Sequence, residues 1–79
     1  MHAPLRTLAS LGDGDVAAVS ALAAGPLAER LHAMGFDEGV RVQVLHRAPF
    51  GGDPLAVRVG AMTVALSRSL AELVHIDPA

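Results

Sequence analysis

Hydrophobic positions change their period along this chain, and each change marks an element. Leu5, Leu8 and Leu11 recur every third residue, which predicts one or two helical turns with an apolar edge. Gly12-Asp13-Gly14-Asp15 stops them, because glycine accepts positive φ and aspartate favours turns. Val16 to Leu22 is strand-like with poor alternation. Ala17, Val19 and Ala21 make one face, yet Val16, Ala18 and Leu22 on the other are no less apolar. A strand buried on both sides reads this way, as does one containing a bulge.

Gly25-Pro26 marks the next boundary, and proline suits the first turn of a helix because its missing N–H would be unpaired there. Leu27, Leu31 and Met34 follow at i, i+4 and i+7 on one helical face. Gly35 is placed to end the helix in the left-handed conformation, with Phe36 folding back onto Leu31. After the turn Asp37-Glu38-Gly39 the alternation is clean. Val40, Val42 and Val44 point one way, and Arg41, Gln43, Leu45 and Arg47 the other.

Pro49-Phe50-Gly51-Gly52-Asp53-Pro54 holds two prolines and a Gly-Gly pair, which predicts a hairpin loop and rules out a central strand. Leu55, Val57 and Val59 alternate in the returning strand. Gly60-Ala61 turns the chain, and Met62, Val64 and Leu66 alternate after it. Ser69-Leu70-Ala71-Glu72 has the form of a capping box and predicts a short helix. Val74 and Ile76 then flank His75 in a last strand ended by Asp77-Pro78. The expected order is helical turn, strand, helix, three strands, short helix, strand. It is mainly β, and five short strands with tight turns suggest a small barrel or sandwich. Closure of a barrel would remove exposed strand edges.

With 79 residues, the expectation is a single domain over 1–79. There is no cysteine, so neither a disulfide nor a thiolate metal site is available. The 52% hydrophobic content can supply a core instead. Six arginines and no lysine face eight acidic residues, for a net charge of −2. A nucleic-acid binder needs a basic excess and commonly a base-stacking platform. The only aromatic residues are Phe36 and Phe50. The longest uncharged run, Val16 to Ala28, has 13 residues, too few for a spanning helix of ~20. The first residues carry no signal-peptide pattern, so a cytoplasmic location without membrane insertion is expected.

Leu8-x-x-Leu11-x-x-Gly14-x-x-Ala17-x-Val19 resembles the opening of the FeoA family. So does Arg30-Leu31-x-x-Met34-Gly35-x-x-x-Gly39-x-x-Val42-x-Val44. The most specific stretch is Ala48-Pro49-Phe50-Gly51-Gly52-Asp53-Pro54, followed by Val64-Ala65-Leu66. In order, these cover nearly the whole chain. The resemblance implies a small SH3-like five-stranded barrel with one short helix between strands 1 and 2 and a second before the last strand. It further implies an accessory role at the cytoplasmic side of FeoB, the GTPase-bearing membrane transporter of ferrous iron, and it implies no catalytic residue. The chain departs from the family pattern at Ser67 and Leu70, where a basic and an acidic residue would stand.

The candidate chemistry is thin. His2, His32, His46 and His75 include no pair at i, i+3 or i+4, so no dedicated metal site is expected, and weak surface pickup of metal is the alternative. Ser10, Ser20, Ser67 and Ser69 read as turn, strand or cap residues rather than as an activated nucleophile. Gly51-Gly52 does not continue into Lys-Ser/Thr, so no phosphate loop and no cofactor are expected. Phe50 either plugs the barrel end or anchors a partner, since aromatic residues dominate interface hot spots. Asp53 places a charge beside it, and Leu45 and Met34 extend an apolar patch. These four are the candidate partner-binding residues. Arg41, Arg47 and Arg58 are expected to form a solvated stripe, contact with an acidic partner being the lesser reading. A ligand- or peptide-binding SH3-like module, as at the C-terminus of iron-dependent repressors, and direct iron delivery are the rival functions. Weak self-association is compatible with either.

Overall fold

The structure is a computed structural model that describes residues 6–49 and 51–78. A 3₁₀ turn, Leu8–Ser10, opens it. Five strands follow as β1 Val16–Leu22, β2 Arg41–Arg47, β3 Leu55–Val59, β4 Met62–Leu66 and β5 Val74–Pro78. Helix α1, Ala28–Ala33, lies between β1 and β2, and helix α2, Arg68–Ala71, between β4 and β5. The strands form one antiparallel sheet in the order β4-β3-β2-β1-β5.

The alternation of β2 translates directly into burial. Val42 and Val44 are fully buried, while Arg41 is exposed. Across the ladder Val42 faces Ala17 on one side and Val59 on the other, so the centre of the sheet is a row of small and β-branched side chains. Leu55, Val57 and Val59 bury the matching face of β3, and Val74 and Ile76 that of β5. Leu8, Leu11, Leu31, Phe36, Leu66 and Ala71 complete a single cluster, and no charged or polar side chain is buried among the described residues. One sheet can enclose one core only by curling around it. It does not close by hydrogen bonds, because β4 and β5 share no ladder among the described residues. The expected removal of both edges therefore holds on one side only. The outer edge of β5 is covered where Ile76 N–H donates to the Arg6 carbonyl (3.0 Å) and Thr7 bridges His75. The outer edge of β4 has no ladder partner among the described residues.

The ambiguous alternation of β1 resolves as a bulge. The β1–β5 register shifts between Val19 and Ala21, so Ala17 and Val19 face inward and Ala21 turns out to solvent. A second shift between Val44 and His46 in β2 ends the inward face there.

Helix α1 is shorter than its apolar spacing suggests. Its first residue is Ala28, and Pro26 lies in a preceding turn closed by Ala28 N–H on the Gly25 carbonyl. Only Leu31 of the expected face is fully buried, Met34 being half-buried and Leu27 39% exposed. The C-terminal end follows the sequence closely. Gly35 takes φ +99, its N–H donates to the His32 carbonyl, and Phe36 N–H reaches the Leu31 carbonyl. That is the Schellman pattern, and it drives Phe36, the largest fully buried side chain, into the core beside Leu31.

Helix α2 corrects the expected cap. Its N-cap is Ser67, whose Oγ accepts from Leu70 N–H at 3.2 Å. Ser69 lies inside the helix, and Glu72 pairs with Arg68 at 3.6 Å instead of closing a box. β5 begins at Val74, so a helix capped by Ser69 would have only Leu70 to Leu73 for its turn. Met62 also departs from its expected inward position, at 59% exposure. It flanks the Gly60-Ala61 turn, where the edge hairpin extends past the core, and burial rises through Val64 to Leu66, which is fully buried.

Candidate interaction surface

The four residues singled out as partner contacts fall in different surroundings. Met34 caps the C-terminal end of α1, half-buried and packed against the core cluster. Leu45 sits at the β2 bulge, half-buried on the side away from the core face. Asp53 is exposed, and its Oδ1 accepts from the Arg68 N–H at 3.1 Å. With the Ser67 hydroxyl on Leu70 N–H, that bond satisfies two of the donors that the start of α2 leaves free. Asp53 thus ties the β2–β3 loop to α2 while keeping its second oxygen open to solvent. Phe50 lies outside the described residues. The loop around it is set by Gly51 and Gly52, both at positive φ, and by Ala48 N–H donating to the Pro54 carbonyl at 3.0 Å.

The arginine stripe divides. Arg41 and Arg58 are exposed, and neither side chain has an ion pair or hydrogen bond among the described residues. Arg47 is not a member of the solvated set. Its guanidinium donates to the Ala9 carbonyl at 2.9 Å and also to the Leu11 carbonyl. The 3₁₀ turn leaves those carbonyls facing β2, and the β2 bulge re-aims the strand end so that Arg47 can reach them. Sequence patterning placed Arg47 on the polar side and gave no signal for a bond spanning 38 residues.

No buried titratable group, and no group of three or more His, Cys, Asp or Glu side chains able to hold a metal ion, occurs among the described residues. His32 Nδ1 lies 2.9 Å from Asp37 Oδ1, both side chains being more than half exposed. No helix of the described residues is long and apolar enough to cross a membrane. The surface of the described residues offers four arginines without a side-chain partner there, Arg6, Arg30, Arg41 and Arg58, a strand edge with Met62 on it that has no ladder partner, and exposed Leu27 beside half-buried Met34.

Comparison with known proteins gives this surface a context. The chain is similar to FeoA of Stenotrophomonas maltophilia, whose crystal structure was determined with zinc. That protein is described as a prokaryotic SH3-domain protein and a candidate activating factor for bacterial ferrous iron transport. The two are 34% identical, the match covers 91% of this chain and 89% of that one, and the TM-score is 0.81. FeoA from Chlorobium tepidum, solved by NMR, is also 34% identical, over 92% of this chain and 70% of that one, with a TM-score of 0.83. A manganese-dependent transcriptional repressor is 25% identical over all of this chain but only 44% of its own, with a TM-score of 0.83. No curated protein matches the chain. The family model of the FeoA domain matches residues 6–78. The chain belongs to the FeoA family, with the mainly β, SH3-like fold of its relatives.

Proposed function

We propose that this chain is a non-enzymatic accessory protein that acts on the cytoplasmic side of a FeoB-type membrane GTPase transporter through protein–protein contact. The observation that carries the reading is the FeoA-domain match across residues 6–78, on a fold whose core is wholly apolar. Among the described residues the buried side chains are all apolar, and this supports a role carried by the surface. A small, preorganised β-fold suits such a role, because a rigid surface loses little conformational entropy on association. Met34, Leu45 and Asp53 are proposed as contacts, together with Phe50, which lies outside the described residues.

Fe²⁺ uptake by cells carrying the transporter tests the role. Removing this chain should lower the uptake rate, and restoring it should bring the rate back. Unchanged uptake with the transporter at equal abundance counts against the reading. The likeness to a manganese-dependent repressor favours a second reading, an SH3-like module that takes a peptide or ligand. It would give binding to a short segment in the absence of any transporter.

A further inference from the structure

Arg41 and Arg58 stand on adjacent strands. Gln43 faces Arg58 directly across the β2–β3 ladder, and Arg41, two residues before Gln43, is the diagonal neighbour of Arg58. Gly60 N–H donates to the Arg41 carbonyl at 3.1 Å, which fixes the strand pairing at this end. Between the two arginines lies a cleft of about 60 Å³, lined by Arg41, Val42, Gln43, Arg58 and Gly60. A single water needs about 10–15 Å³ on this measure, so the cleft has room for a carboxylate-sized group.

The charges around it are unbalanced. The molecule carries two more acidic than basic groups, yet no acidic side chain lines this cleft. Arg47 and Arg68 have partners within the fold, two carbonyls and Glu72, whereas Arg41 and Arg58, like Arg6 and Arg30, have none among the described residues, and Arg41 and Arg58 line one cleft together. Like charges on neighbouring strands repel unless an anion sits between them. Guanidinium groups recognise carboxylates by paired, planar hydrogen bonds. Both arginines issue from regular strands, so their Cα positions are already set before anything binds.

We infer that Arg41 and Arg58, with the cleft between them, form a docking site for an acidic segment of the protein partner, whose carboxylates pair with the two guanidinium groups. The site rests on the accessory reading above and names the chemistry of that contact. Charge complementarity selects the occupant. A nucleic acid is disfavoured by the net charge of −2 and the near absence of aromatic residues.

Two measurements test it. In the first, immobilised FeoB cytoplasmic domain captures the folded chain, its double variant Arg41→Glu/Arg58→Glu, and the variant Arg41→Lys/Arg58→Lys. The charge reversal should weaken capture at least about tenfold, and the lysine pair should weaken it less, since it keeps charge but loses the bidentate fork. Raising salt should weaken the parent and leave the reversed variant little changed. If the parent binds and the reversed variant binds equally well, the docking site is wrong while the accessory role stands. If the parent does not bind at all, both fall. In the second, the Arg41 and Arg58 Nε–H NMR signals are followed during titration with hexaglutamate and, separately, inorganic phosphate. Shifts of both signals with the peptide alone support the site. Equal shifts with phosphate, or signals that move only with the chain's own concentration, overturn it in favour of a general anion site or a second copy.

Discussion

Replacing Arg47 with methionine removes both guanidinium bonds to the 3₁₀ turn while keeping an unbranched apolar stem. In the parent one bond is 2.9 Å, to the Ala9 carbonyl, and the other goes to the Leu11 carbonyl. A hydrogen bond to a charged group contributes about 1.5–3 kcal/mol, and the lower end applies where water has partial access. Arg47 is only half-buried, so both bonds are discounted and water can partly satisfy the abandoned carbonyls. The net loss should be about 2 kcal/mol. For a domain of this size each kcal/mol moves Tm by roughly 4–8 °C, so Tm should fall by about 8–16 °C. Arg47→Lys should fall between parent and methionine variant, because one ammonium can hold one of the two carbonyls. Arg58→Met, from an exposed and unbonded site, should stay within about 0.5 kcal/mol of the parent. Urea and thermal melts followed by far-ultraviolet circular dichroism give all four values. If Arg47→Met melts no lower than Arg58→Met, the bonds to Ala9 and Leu11 do not hold the turn to the sheet.

Other outcomes follow from the same geometry. Val42→Asp buries a carboxylate with no partner at the centre of the sheet and should unfold the chain, whereas Arg41→Asp one residue away should change stability by about 0.5 kcal/mol or less, as paired thermal melts would show. Ser67→Ala should cost about 1 kcal/mol through loss of the α2 cap, and Ser69→Ala almost nothing, a contrast that chemical denaturation resolves. Anaerobic titration of Fe²⁺ should give weak or no saturable binding, because the described residues bring no three ligating side chains together; one tight, saturable ion would favour iron delivery.

Much of the fold was legible because its determinants are local. The clean alternation of Val42 and Val44 with Arg41 and Gln43 marked the inward face of β2, although Val40 precedes the strand and is half-buried, and the Met34-Gly35-Phe36 run marked the end of α1, since both depend on residues within one turn or one pleat. What was not legible depends on partners distant in sequence. Arg47 looks like any outward residue of β2 until the 3₁₀ turn brings two carbonyls to it. Locally Ser69 has the better claim, with Glu72 three residues on where Ser67 has Leu70, and the choice of Ser67 is made by β5 beginning at Val74 and by Asp53 reaching Arg68 from the hairpin loop. Met62 obeys the period of its strand, but the core does not extend as far as the turn it flanks. The surface was harder still. Periodicity assigns Arg41 and Arg58 to the outer face, but only the β2–β3 register makes them diagonal neighbours across a cleft.

The central proposal is that this chain works by binding a transporter of the FeoB type, and its affinity for that protein's cytoplasmic domain tests it most directly. Biolayer interferometry with the folded chain in solution should give saturable, one-to-one binding with a Kd on the order of micromolar, in the range of transient protein contacts. Absence of saturable binding up to roughly 100 μM of a chain that still shows its cooperative melt would contradict it, since a Kd weaker than that leaves too little free energy for a specific interface.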